Sequence, residues 1–307
     1  MTKIASIDIG TNTVLMLIST WNGSSLSEFH DFYDIPRIGK DLGKNGMISD
    51  EKRNLLITVL AKFKEIALAK GVNHFILAGT NAFRIASNGQ EIVSEIKQKL
   101  GLDLRVISGK EEAHLSYLGA TGLVRAKDFL VIDIGGGSTE VVRGTKNNPE
   151  YAISLPVGVV ALTESRGNIE PPLFTNISVL KEELFESFRK IPFTLGGDET
   201  VIAVAGTPTT LAAIKAGLRI YDENKIEGMI LRINELQQFS KLLNTLNADE
   251  ILQKYPIVKG REDVITAGNF ILTFICEFLG INQITVSTRG LRYGMLFDYL
   301  KISHDFD

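Results

Sequence analysis

The sequence predicts an α/β protein with mixed sheets, organised as two related domains. Three observations carry this. Short β-rich apolar runs alternate with stretches of helical periodicity. Several of those runs are joined by tight glycine turns into hairpins, which a purely parallel sheet would not contain. And IASIDIGTNTVLMLI (4–18) and FLVIDIGGGSTEVVR (129–143) repeat one pattern, with Asp133 standing 125 positions after Asp8.

Taken in order, residues 3–9 and 14–20 are apolar runs around Gly10-Thr11-Asn12-Thr13, a strand, turn and strand. Residues 50–70 carry Leu55, Leu56, Val59, Leu60, Phe63, Ile66 and Ala67 at helical spacing, with Ser49 or Asp50 as the cap. A strand at 74–80 follows, then a helix at 90–101 stopped by Gly101, then a strand at 104–109. EEAHLSYLGATGL opens the next helix, and GATGLVRAK (about 120–128) reads as a short hinge. Residues 129–144 repeat the strand, glycine turn and strand. A helix at 178–191, a strand at 201–206, a long helix at 261–279, a strand at 284–288 and a helix at about 290–300 complete the pattern.

The chain has 307 residues, room for two cores. With 33 Lys and Arg against 36 Asp and Glu, the net charge of −3 argues against a surface built to coat nucleic acid. Cys276 is the single cysteine, so no disulfide forms within the chain. Four histidines without CxxC or HExxH disfavour a zinc centre. No run reaches about 18 apolar residues, so no membrane-spanning helix is expected. The compartment these features predict is the cytoplasm, and a homodimer is compatible with the apolar helix at 261–279.

Asp133 and Glu140 flank Gly135, Gly136, Gly137, Ser138 and Thr139. Glycines free to take positive φ would aim N–H groups in one direction, and such a nest, with the two hydroxyls, binds phosphate oxygens. A hairpin puts both carboxylates at one mouth, where hard oxygen ligands suit Mg²⁺ or another divalent cation. The bland alternative is a bare turn with two exposed acids. Asp8, Gly10, Thr11 and Asn12 form the matching turn. Ser108-Gly109-Lys110-Glu111-Glu112 joins a strand to a helix; either acid could be a general base, or both could be first-turn acids favoured by the helix dipole. Arg84 could fork onto a phosphoryl group or be a surface arginine. Thr207 to Leu211 open a helix whose N-terminus could hold an anion, and Glu262 and Asp263 read as helix caps.

Nine segments, in order, resemble the exopolyphosphatase/guanosine pentaphosphate phosphohydrolase family of the sugar kinase–Hsp70–actin superfamily. They are DIGTNTVLMLI (8–18), IPRIGKDLGKNGMIS (35–49), AGTNAFRIASN (78–88), VISGKEEAHLSYLG (106–119), VIDIGGGSTEVV (131–142), SLPVGVVALTE (154–164), VAGTPTTLAAI (204–214), GREDVITAGNFIL (260–272) and VSTRGLRYGML (286–296). The resemblance implies two ribonuclease H-like domains facing each other across a cleft, at about 1–122 and 123–286, with the last helix (287–307) returning to the first. It implies Glu112 as catalytic base. It implies phosphate binding by Gly10, Thr11, Asn12, Arg84 and residues 135–139, and metal ligation by Asp8, Asp133 and Glu140. The implied reaction is metal-assisted hydrolysis of terminal phosphoanhydrides of inorganic polyphosphate or guanosine pentaphosphate, releasing orthophosphate. Rival readings are a sugar kinase and a non-catalytic polyphosphate or alarmone sensor. Two departures stand out: Leu15 where the family usually has arginine, and Tyr293 where it usually has glutamate.

Overall fold

A strand buried on both faces reads as a continuous apolar run, and Thr2–Ile9 (β1) is one. Ala5, Ile7 and Ile9 enter one core cluster, while Ile4 enters another on the opposite face. The computed structural model describes residues 1–146, 148–168 and 170–300. These divide into two compact units, Met1–Gly119 with the helix Leu291–Leu300, and Ala120–Gly290.

In the first unit β1 is followed by β2 (Val14–Trp21), β3 (Leu26–Asp34), α1 (Leu42–Asn45), α2 (Asp50–Ala69), β4 (His74–Gly79), α3 (Asn81–Ile85), α4 (Gly89–Leu100), β5 (Leu104–Val106) and α5 (Gly109–Thr121). The sheet order is β3-β2-β1-β4-β5. The first three strands are antiparallel neighbours, and β4 and β5 run parallel to β1. Ser49 caps α2 by accepting from the Lys52 N–H, and Gly101 ends α4 at φ 66.

Residues 122–127 lead into the second unit: β6 (Asp128–Ile134), β7 (Thr139–Thr145), β8 (Asn148–Leu155), α6 (Val159–Arg166), α7 (Ile177–Phe188), β9 (Thr200–Val204), α8 (Gly206–Lys215), α9 (Glu223–Ile226), β10 (Ile230–Arg232), α10 (Ile233–Leu243), α11 (Ala248–Lys254), α12 (Ile265–Leu279) and β11 (Gln283–Val286). Its order is β10-β11-β9-β6-β7-β8. Read from β8 inward, it repeats the first sheet strand for strand, with β6 to β8 antiparallel and β9 and β11 parallel to β6. β10 is an added edge. Both units are thus ribonuclease H-like, each with its own apolar core.

The final helix, α13 (Leu291–Leu300), belongs to the first unit. Tyr293, Leu296 and Phe297 pack on Ile4 and Leu17, and the Ser6 hydroxyl donates to the Arg292 carbonyl at 2.7 Å. Tyr293 donates to Asp31 Oδ2 at 3.0 Å, beside an Arg292–Asp31 ion pair, so the tyrosine that departs from the family pattern ties α13 to β3. The expected tail beyond 300 lies outside the described residues.

Several boundaries differ from the sequence reading. The strand expected at 104–109 stops at Val106, since Ser108 caps the next helix: its hydroxyl accepts from the Glu111 N–H at 3.2 Å and its carbonyl from the Glu112 N–H at 2.9 Å. The long helix starts at Ile265 rather than 261, and Arg261–Val264 form a separate turn, so Glu262 and Asp263 are not its caps. Cys276 is buried, and burial pushes its thiol up to about 12, an inert core position.

Candidate functional site

The repeated hairpins have the same backbone. In the first, the Gly10 N–H donates to the Thr13 carbonyl at 3.0 Å; in the second, the Gly135 N–H donates to the Ser138 carbonyl at 2.9 Å. At Gly10 and Gly135 a side chain would be crowded by the turn's own carbonyl rather than barred by the dihedral angle. Gly10 and Gly135 do not adopt the left-handed region that the sequence suggested, but a Cβ would lie 3.2 Å from Thr13 O and 3.0 Å from Ser138 O respectively.

The following segment takes up carbonyls of each turn. Val159 and Val160 N–H groups, opening α6, donate to the Gly135 and Gly136 carbonyls at 3.0 and 2.8 Å. In the first unit the Gly39 and Arg37 N–H groups donate to the Thr11 and Asn12 carbonyls at 2.8 and 3.0 Å. A planar trans peptide points its N–H opposite its C=O. The N–H groups of Gly136 and Gly137 therefore face away from α6, and those of Asn12 and Thr13 face away from segment 37–39. Each turn presents adjacent amides on one side, an arrangement suited to phosphate oxygens. The approach on the carbonyl side is close: a Cβ on Gly158 would lie 2.4 Å from Gly136 O.

The side chains around the turns differ. Asp133 stands directly opposite Glu140, and Glu140 directly opposite Ser154, so the three share one face of β6, β7 and β8. Glu140 is 1% exposed and accepts from the Ser154 hydroxyl at 2.6 Å. In the first unit the same row reads Asp8, Leu15 and Tyr33. The second turn thus carries a pair of carboxylates and the first a single one. Two carboxylates with a neighbouring hydroxyl fit Mg²⁺, which is commonly held by one or two carboxylates plus substrate phosphates and water. Among the described residues there is no group of three or more His, Cys, Asp and Glu able to hold a metal without such help.

The other sequence-chosen residues of the first unit lie past the carboxyl ends of its parallel strands, where open α/β sheets place their ligands. Thr80, after β4, donates its N–H to the Ile9 carbonyl at the end of β1. Arg84 on α3 donates through Nη1 to Glu112 Oε2 at 2.6 Å and to the Ile107 carbonyl at 3.0 Å. Glu112 is buried in the first turn of α5. Glu111, one position earlier, pairs with Arg105 on an exposed face. The two acids that the sequence left equivalent are thereby separated: the exposed one has a surface partner, and the buried one has an arginine.

In the second unit the structure joins two segments that the sequence kept apart. Arg261 Nη1 donates to Thr210 Oγ1 at 3.1 Å, and a Cβ on Gly206 would lie 2.9 Å from its Cζ, so Arg261 covers the start of α8. Glu227 went unnoticed in the sequence. It accepts from the Ser287 hydroxyl at 3.0 Å, the Thr288 N–H at 2.6 Å and the Thr288 hydroxyl at 2.8 Å, and so fixes the loop after β11. Ser154 was also missed; counting the cross-strand register from Glu140 would have found it had β8 been recognised.

Residues 18–303 match the profile of the Ppx/GppA phosphatase family. The chain is 29% identical to Exopolyphosphatase 2 of Mycobacterium tuberculosis over 314 aligned positions, covering 96% of this chain and 98% of that one. It is 30% identical to a bifunctional 3-dehydroquinate synthase/phosphatase of Fusobacterium nucleatum, over 96% of this chain and 46% of the relative. Among solved structures, an exopolyphosphatase from Cytophaga hutchinsonii superposes with a TM-score of 0.87 at 26% identity, covering 98% of both chains. The Aquifex aeolicus Ppx/GppA family member superposes with a TM-score of 0.82 at 28% identity, again over 98% of both chains.

Proposed function

The chain belongs to the Ppx/GppA phosphatase family, and from that premise we propose that it is an exopolyphosphatase, hydrolysing the terminal phosphoanhydride of inorganic polyphosphate and releasing orthophosphate. The observation that carries the reading is the pairing of the buried Glu112 with the partly buried Arg84 at the carboxyl ends of β4 and β5. A carboxylate anchored on a helix and oriented by a guanidinium is a positioned proton acceptor for an attacking water. Arginine has five donors, so holding Glu112 leaves it others to offer a phosphoryl oxygen.

The other residues supply binding. In the first unit the amides of Asn12 and Thr13, with the Thr11 side chain nearby, and in the second the amides of Gly136 and Gly137, with the Ser138 side chain nearby, would donate to phosphate oxygens and stabilise the charge that grows on them. Thr139, expected from the sequence among the phosphate ligands, is fully buried and its hydroxyl donates to the Val157 carbonyl at 2.6 Å, so it has no proton left for a phosphate. Asp133 and Glu140 would hold Mg²⁺, whose contribution is to neutralise phosphate charge. Asp8 sits at the matching place on the first turn, opposite Leu15, and contributes a single carboxylate there. Polyphosphate is favoured over guanosine pentaphosphate by the relatives named as exopolyphosphatases.

The test is one assay of orthophosphate release from medium-chain polyphosphate, guanosine pentaphosphate and ATP, each with Mg²⁺. The reading predicts the highest kcat/KM on polyphosphate. A higher value on guanosine pentaphosphate would move the assignment to the alarmone substrate, and phosphorylation of an added acceptor from ATP would overturn it.

A further inference from the structure

β8 is an edge strand of the second sheet, and Ser154 lies one residue before its end. Ser154 is directly opposite Glu140 on β7, and Glu140 directly opposite Asp133 on β6, so the three form one row across the sheet. The register is regular at this row; its shift lies further along, between Arg143 and Gly144. Just past the row the chain is tied back to β7 and to the turn. The Thr139 hydroxyl donates to the Val157 carbonyl at 2.6 Å, and the Val159 N–H donates to the Gly135 carbonyl at 3.0 Å. Ser154 is therefore held beside Glu140 by its neighbours on the chain.

The half-buried Ser154 hydroxyl donates to Glu140 Oε1 at 2.6 Å. An ionised carboxylate only accepts, so the direction of the bond is fixed, and the separation is that of a hydroxyl on an ionised acid. Ser154 gives its one side-chain proton to Glu140, so it acts on anything bound at the acid pair through Glu140. A glutamate has more rotamer freedom to lose on ordering than an aspartate. At 1% exposure, water does little to orient this one. A hydroxyl that fixes one oxygen beforehand removes part of the ordering cost from the binding step. The corresponding row of the first unit, Asp8, Leu15 and the exposed Tyr33, has an apolar residue at its middle position and nothing there for a hydroxyl to orient.

We propose that Ser154 is a positioning residue for metal binding: its hydroxyl holds the Glu140 carboxylate in the orientation in which Glu140 and Asp133 together take a divalent cation. This rests on the assignment of the cation to that acid pair in the reading above. It makes Ser154 a determinant of metal affinity rather than of the chemical step, because outer partners of ligating carboxylates set the affinity of a site.

The experiment compares wild type with Ser154→Ala, Ser154→Thr and Ser154→Val; threonine and valine match in shape, suit a strand and differ by the hydroxyl. Mn²⁺ is titrated into metal-free protein in saturating orthophosphate and followed by electron paramagnetic resonance. Orthophosphate release from medium-chain polyphosphate is measured against Mg²⁺ concentration, and melting temperatures are recorded without metal. The alanine and valine variants should bind Mn²⁺ about 10–100-fold more weakly, while the threonine variant stays close to wild type. The Mg²⁺ concentration for half-maximal rate should rise by a similar factor, with kcat at saturating Mg²⁺ little changed. Wild-type Mn²⁺ affinity in the alanine and valine variants overturns the proposal. So does equal weakening by threonine and valine, or a fall in kcat with Mn²⁺ affinity unchanged. If wild type binds Mn²⁺ with this dependence on the hydroxyl but releases no orthophosphate, the hydrolase reading fails and the role of Ser154 stands. If wild type binds no Mn²⁺, the proposal fails, and phosphate release still judges the hydrolase reading.

Discussion

The turn after β1 and the turn after β6 share a backbone and differ in their cross-strand partners. Both close through a glycine amide to the carbonyl three residues on, and both give carbonyls to the segment that follows. Yet Asp133 faces Glu140, whereas Asp8 faces Leu15. On the proposed reading, the duplicated scaffold sets where an anion is held, and one residue on the returning strand sets whether a divalent cation joins it.

Exchanging those residues is the sharpest way to break the comparison. Glu140→Leu gives the second turn the partner found in the first. If the acid pair holds the metal, orthophosphate release should fall by about a thousandfold, the scale of losing metal assistance, with a melting temperature near that of wild type. A variant that keeps both its activity and its Mg²⁺ dependence would show that the acid pair has no such role.

Smaller effects come from the segments that seat the turns. A Cβ on Gly158 meets backbone atoms of Gly136 and Gly137, which cannot move without moving the loop. A Cβ on Gly39 meets first the Thr11 methyl, the end of a side chain. Gly158→Ala should cost about 3 kcal/mol and Gly39→Ala about 1 kcal/mol, the range for inserting a methyl into filled space. Urea unfolding measures both, and the reverse order would contradict the geometry. An effect as small as that of Gly39→Ala belongs to the reciprocal exchange. Leu15→Glu places two acids directly opposite each other and should cost about 1 kcal/mol, lowering the melting temperature by about 2–4 °C.

The parts of this account legible in the sequence are those that depend on short separations. The pairing of Asp133 with Glu140 follows from a hairpin whose loop is four residues long, and the same count applied to Asp8 leads to Leu15. The Arg84–Glu112 pair was not legible. Its members come from different βα connections, and only the adjacency of β4 and β5 in the sheet brings them together. β3 and β8 were missed because both are edge strands of their hairpins, with polar faces that blur the two-residue period; β3 carries Glu28, His30, Asp31 and Asp34. The Arg261 contact with Thr210 hides in the same way, between a loop and a helix about fifty positions apart. The internal repeat, by contrast, gave the architecture, because two copies of one strand-turn-strand unit at domain spacing leave few other folds.

The proposed chemistry depends above all on Glu112. The most direct measurement is the initial rate of orthophosphate release from medium-chain polyphosphate with Mg²⁺, for wild type and Glu112→Gln at matched melting temperature. Glutamine keeps the shape and loses the base, so turnover should drop by about 10²–10⁴, the usual contribution of a positioned general base. A Glu112→Gln variant that releases phosphate at nearly the wild-type rate would contradict the assignment.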